Sequence, residues 1–288
     1  MSQATSNVRI VPAPQVVEGG GFVVRRPFPV QGLSYVDPFL LIDEMGPVNY
    51  APGKAVGAPD HPHRGFETVT YLLDGEMEHE DSHGHRGSLR PGDVQWMTAG
   101  AGVIHSEEPS KTLLQNGGRM HGFQIWVNLP RALKMTQPRY QEYAKEQLPV
   151  VQGDGRWVRV IAGEFEGTRS LIETTVPTTM LHVRLEPGAS ATFTLASGSN
   201  AIVHAISGSA QVEGKTLAEH NDAIFENAPT SLHVTAGEGG FEALVLAGVP
   251  LREPVARYGP FVMNTTDELQ QAFDDFQSGR FGEIAREG

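Results

Sequence analysis

HPHRGFETVTYLLDGEMEHEDSHG, residues 61–84, is the stretch on which the reading of this chain turns. His61-Pro62-His63 stands ahead of Phe66 to Leu73, a run of β-branched, aromatic and aliphatic residues that suit a pleated, half-buried surface. The run stops at Asp74-Gly75, a common tight-turn pair, so the sequence predicts a strand and then a hairpin. Residues two apart on an extended chain face the same side, roughly 6–7 Å apart, so His61 and His63 can offer two imidazoles to one ion.

The same rhythm extends outward from this stretch. Arg90-Pro91-Gly92-Asp93 marks a turn before Val94-Gln95-Trp96-Met97, and Gly100 and Gly102 break the chain before Val103-Ile104-His105. HGFQIWVNL, residues 121–129, alternates until Pro130 ends it. Upstream, Gly19-Gly20-Gly21, Phe22-Val23-Val24 and Phe39-Leu40-Leu41-Ile42 predict edge strands and loops. Residues 131–155 are polar and carry no strand pattern, which places a domain boundary there, with halves of 1–140 and 141–288.

Beyond Gly155 short apolar runs return at 158–162, 179–185, 192–195, 201–206, 223–225, 232–234 and 241–246, with turns expected at Ser207-Gly208-Ser209 and Glu238-Gly239-Gly240. Gly75 set over Gly208 aligns VTYLLDG with IVHAISG, and acidic turns follow at Asp93 and Asp222. The expectation is an all-β chain with a duplicated barrel or sandwich. One helix is predicted near the C terminus. Thr265 and Glu268 have capping-box spacing, and Leu269, Ala272, Phe273 and Phe276 repeat at helical period until Gly279.

Composition narrows the function. The 288 residues are 39% hydrophobic and 19% charged with 33 Gly and 20 Pro, too apolar for disorder and too interrupted for a helical bundle. With no cysteine, thiolate catalysis, disulfides and iron–sulfur clusters are excluded, and a metal must sit on His, Asp or Glu. The net charge of −12 disfavours direct nucleic-acid binding. No apolar run approaches the roughly 18–20 residues that span a bilayer, and the start lacks a basic-then-apolar leader, so neither a membrane nor export is expected and the cytoplasm is.

Seven of the eleven histidines fall between His61 and His121. His105-Ser106-Glu107 repeats the two-apart layout of His61 and His63, and two such pairs facing each other in a barrel supply three nitrogens and one carboxylate oxygen. Glu67 shares their parity and is a candidate neighbour to the ligands or a spare ligand. His79, His83 and His85 lie among acidic residues and read as a solvated rim, and His121 as a packed or hydrogen-bonded side chain. In the second half the matching positions hold Thr194, Ala196, Val234 and Ala236, so that barrel is expected to lack a metal.

The quoted stretch, together with RPGDVQWMTAGAGVIHSEEP (90–109), HGFQIWVNLP (121–130) and RYGPFVMNT (257–265), closely resembles the pirin family of the cupin superfamily. That resemblance implies two tandem cupin (jelly-roll) barrels with a short C-terminal helix. It also implies one mononuclear divalent metal on His61, His63, His105 and Glu107, usually iron; the donor chemistry alone leaves manganese, nickel, cobalt, copper and zinc open.

Two activities follow from the same resemblance. In the first, the chain is a quercetinase-like dioxygenase that cleaves a flavonol or similar aromatic substrate with O2 and releases CO. Glu107 would then be the catalytic base, with Phe66, Trp96 and Met97 as wall candidates. In the second, it is an iron-dependent regulator whose metal state is sensed by a protein partner, a transcription-factor complex or a metabolic enzyme, through the 76–85 hairpin.

Overall fold

The structure is a computed structural model and describes residues 8–18 and 21–286; Gly19 and Gly20 of the predicted glycine turn, and the first seven residues, lie outside it. Regular structure is mostly strand, with two helices, Lys111–Asn116 and Thr266–Gln277, and one 3-10 turn. The predicted all-β class therefore holds. Among the described residues no helix is long and apolar enough to cross a membrane.

Phe66–Asp74 lies inside a seven-stranded sheet ordered Arg139–Tyr143, Val94–Thr98, Phe66–Asp74, Gly118–Asn128, Phe39–Tyr50, Val23–Phe28, Gln15–Val17. Phe39–Tyr50 is thus an interior strand, where an edge was expected. A four-stranded sheet, ordered Ala58–His63, Val103–Pro109, Met77–Asp81, Arg86–Leu89, faces it. Their side chains meet in the interior, where the Thr70 hydroxyl lies 2.7 Å from Glu107.

Asp74-Gly75 does not close a hairpin. The strand before it pairs within the larger sheet, whereas Met77–Asp81 pairs with Val103–Pro109 and Arg86–Leu89. Gly75 has φ +89°, and a Cβ there would meet Met120 Sδ at 2.7 Å, so glycine lets the chain turn the corner between sheets. The stretch 131–155 is not strandless either. Arg139–Tyr143 adds to Val94–Thr98 as the edge strand of the sheet, and an edge strand with one face to water carries the polar residues that hid it.

A second body is one nine-stranded sheet organised around two long strands, Asn200–Val212 and Ser231–Gly248. The turns expected at Gly208 and Gly240 are bends within these strands. The register slips between Gly208 and Ala210, and both glycines have positive φ, 74° and 78°, as bulges that curl a sheet require. Its interior is packed with Val160, Leu181, Phe193, Val203, Phe225 and Val245, each at most 1% exposed. Val234 belongs to the same apolar core.

The units do not divide linearly at 140/141. One comprises residues 1–14, 27–38 and 146–251, and the other 15–26, 39–145 and 252–288. Val8–Pro12 pairs with Asn221–Phe225, so the N-terminal strand completes the later sheet. The C-terminal helix clusters with the earlier barrel, contrary to the expected assignment to the second. Local pattern cannot reveal such exchanges, because they are made by pairings about two hundred residues apart.

The helix forms as its sequence dictates. Thr265 and Glu268 make both bonds of the capping box, and Leu269 and Ala272 join a buried cluster with Phe261 and Phe281. Asp275 faces inward and accepts from the buried Arg64 Nη1 at 2.8 Å, while Arg64 Nε donates to Ala101 O at 2.7 Å. Burial pushes the Asp275 carboxyl up, but hydrogen bonds from Arg64 and Gln271 outweigh it and hold the group below the ordinary carboxylate range. An acid whose folded pKa is depressed stabilises the fold above its unfolded value and loses that contribution as pH falls through the folded one. Asp275→Asn is expected to cost about 3 kcal/mol at neutral pH, because it strands a buried guanidinium. Urea melts should show that deficit near pH 7 and its narrowing below about pH 4; an unchanged midpoint at neutral pH would refute the role.

Candidate metal centre

His61 ends up opposite His105 because Ala58–His63 and Val103–Pro109 are antiparallel neighbours in which those two residues are direct partners. Directly opposed residues project to the same face, and His63, two further on, projects with them. The three ring centroids lie 4.3, 4.7 and 5.0 Å apart, and one nitrogen from each falls within 4.8 Å of the others. The register then slips between His105 and Glu107, so that Glu107 faces Ala58. This bulge aims the carboxylate beside the imidazoles, with Oε2 3.9 Å from His105 Nε2.

Tautomers are set from behind. The Nδ1 of His61 lies 2.7 Å from Pro59 O, and that of His63 3.5 Å from Pro260 O, which leaves each Nε2 turned inward. His63 Nε2 and both nitrogens of His105 are buried without a hydrogen-bond partner. Stranded polar atoms of this kind cost free energy unless something fills their lone pairs. Burial, reinforced by the neighbouring His61, pushes His63 and His105 well below the usual histidine range, so both are neutral donors at physiological pH. Three convergent imidazoles, two of them with buried unsatisfied nitrogens, are what a divalent ion requires, and the residues fit such a group.

The carboxylate is held separately. Thr70 Oγ1 lies 2.7 Å from Glu107 Oε1 and also 2.7 Å from Gln124 Oε1, so its single proton serves one of them at a time. Gln124 Nε2 donates to Glu107 Oε2 at 3.3 Å. Glu67, by contrast, is fully buried and accepts from Thr98 at 2.8 Å. It stands three residues from the inward Thr70 and so on the other face of its strand, because Gly65 with φ +89° resets the parity after His63.

The rim reading holds for His83 and His85, both exposed, and fails for His79 and for Asp81 of the same run. His79 and Asp81 are only 3% and 2% exposed, on the inward face opposite Glu107 and His105. His79 Nε2 lies 2.7 Å from Glu142, and Asp81 accepts from the backbone N–H groups of His83 and His85. His121 is hydrogen-bonded to the buried Glu44 at 2.9 Å, as anticipated.

A cavity of about 490 Å³ opens onto His61, His63 and Glu107. Its walls include Leu41, Met77, Met120 and Trp126, and not the predicted Trp96 and Met97, which are core. Phe66 contributes indirectly, stacked on Trp126 at 4.3 Å and against His63 at 5.1 Å. Gln124 and Trp126 alternate on the strand seen at 121–129, so their inward parity could have been read from the sequence. Lys134 could not. Its ammonium is buried and donates to Gly65 O, Asn128 Oδ1 and Val262 O at 2.7, 2.7 and 2.9 Å, and burial pulls its pKa down to about 8.

Comparison with known proteins agrees with this geometry. The profile of the Pirin family matches residues 21–127, and that of the Pirin C-terminal cupin domain matches residues 180–282. Pirin of Homo sapiens is 41% identical over 270 residues, covering 92% of this chain and 90% of its own. The crystal structure of a quercetin 2,3-dioxygenase from Acinetobacter baumannii superposes with a TM-score of 0.91 at 37% identity, over 98% of this chain and 100% of that one. A bacterial pirin from Escherichia coli, solved in complex with nickel(II), shares the fold at a TM-score of 0.66 and 18% identity, over 84% and 99% of the two chains.

Gly65 is the tightest point of the arrangement, since a Cβ there would run into the Val262 carbonyl oxygen and come within 2.9 Å of Met263 Sδ. Gly65→Ala is expected to destabilise the fold by about 2–4 kcal/mol, combining positive-φ strain with that clash. Its two-dimensional NMR spectrum should show the His63 ring resonances displaced, and an undisturbed spectrum would count against the constraint.

Proposed function

The chain belongs to the pirin family, and on that footing we propose that it is a metal-dependent dioxygenase of flavonol-like compounds. In this reading one flavonol and one O2 give one CO and one ester, in the cytoplasm. The observation that carries it is the placement of three convergent imidazoles and a carboxylate beside an apolar cavity. The volume lies within the roughly 300–1,000 Å³ usual for small-molecule sites.

His61, His63, His105 and Glu107 form the proposed donor set, and iron(II) is the proposed ion. Bound there, the ion supplies Lewis acidity toward a substrate oxygen and an electron-rich partner for O2. Glu107 would complete that donor set and, as the base, would accept the proton of the substrate 3-hydroxyl. Thr70 and Gln124 keep its two oxygens aimed at that proton. Met77, Met120 and Trp126 exclude water and press against the flat faces of the substrate.

The expected result is CO release when quercetin and O2 meet iron-loaded protein, with metal content and CO both lost in His105→Ala. Glu107→Gln should keep the fold and lower turnover by about 10²-fold or more. Iron-loaded protein that releases no CO would reject the reading, and undiminished turnover in Glu107→Gln would remove the base.

A further inference from the structure

Among the charges on the cavity wall that the proposed reaction does not use, one lacks an ion-pair partner within the described residues. Arg257 lines it, with its guanidinium carbon 4.6 Å from the Trp126 ring centroid and Nη1 donating to Leu40 O at 2.9 Å. The charged groups around it are Arg26, Asp43 and Glu18, which also line the cavity. Arg26 takes both carboxylates for itself. It grips Asp43 with two bonds, Nε to Oδ1 at 2.6 Å and Nη2 to Oδ2 at 2.5 Å, and pairs with Glu18 through the same Nη2. Among the described residues no carboxylate lies within 4 Å of Arg257.

A guanidinium that is half-buried, stacked on an indole and short of an anion retains unsatisfied N–H groups pointing where a ligand sits. Burial and the nearby Arg26 push its pKa down, the direction expected of a cation whose surroundings do not compensate it. Trp126 lies between this charge and the metal ligands, since His63 packs on the same indole at 5.2 Å. An aromatic molecule engaged by the imidazole cluster therefore passes along Trp126 toward Arg257.

We propose that Arg257 determines specificity by binding an anionic substituent, a carboxylate, sulfonate, sulfate or ionised phenol, on the aromatic substrate at the end remote from the metal. This rests on the dioxygenase reading for the word substrate, and not for the binding itself. The preferred class is thus an anionic hydroxyaromatic compound, with neutral quercetin a weaker relative.

Calorimetric titration of the metal-loaded protein with quercetin and with quercetin 5′-sulfonate tests it. Wild type should bind the sulfonate about tenfold or more tightly, the contribution of one charge-assisted pair. Arg257→Gln should bring the ratio to near one with the affinity for quercetin within about twofold, and Arg257→Lys should recover part of the preference, with unfolding midpoints confirming both folds. A ratio unchanged in Arg257→Gln, a wild-type preference for the neutral compound, or binding of neither would each overturn the proposal. Arg257-dependent binding of the sulfonate without CO release would reject the dioxygenase and leave the anion site standing.

Discussion

The corner at Arg64-Gly65 is the constraint on which the site depends. His63 must leave its strand, and Phe66 must begin the next in the opposite sheet, within two residues. The turn is feasible because Gly65 adopts φ +89° and because two buried cations grip it from either side. Arg64 is held by Asp275 and Ala101, and Lys134 holds the Gly65 carbonyl. Each cation is costly to bury; Lys134 has an acceptor for each of its three N–H groups, and Arg64 is paired with the Asp275 carboxylate. Pro260 and Val262 add carbonyls from the C-terminal segment, so residues about two hundred positions later orient a candidate ligand.

The two β bodies show how differently one kind of scaffold can be filled. In the later body, valine, leucine, phenylalanine and alanine interdigitate, and the sheet has an ordinary apolar core. In the earlier one, the inward positions of the smaller sheet carry His61, His63, His105, Glu107, His79 and Asp81. A polar interior of this kind weakens the core it replaces. The cost is offset by hydrophobic clusters elsewhere in the same unit, one around Phe261 and Phe281 and another around Leu40, Phe66 and Val262. The C-terminal helix belongs to this balance as packing that the metal-facing barrel needs.

Much of the site was legible in the sequence because its pieces are local. His-x-His and His-x-Glu on strands are period-two statements, and the register joins them as face-to-face pairs with one bulge between His105 and Glu107. The capping box at Thr265 was equally local and equally visible. Glu67 misled because its parity was carried across a glycine that does not conserve it. His79 and Asp81 misled because an acidic, histidine-rich run resembles solvated surface until the strand opposite is known.

By itself, then, the sequence determined the all-β class and many of the strands, the C-terminal helix, the apolar character of the later barrel and the three histidines that gather. Short-range alternation and capping encode all of these. Tertiary structure alone decided that the chain changes sheets at Gly75, that Gly208 and Gly240 bend strands rather than end them, and that the last segment joins the first barrel. It also decided that Lys134 and Asp275 hold the corner beside the site and that Arg257 lines the cavity. Those outcomes depend on pairings between distant residues, fixed by which surfaces can bury one another, and such pairings leave no periodic trace along the chain.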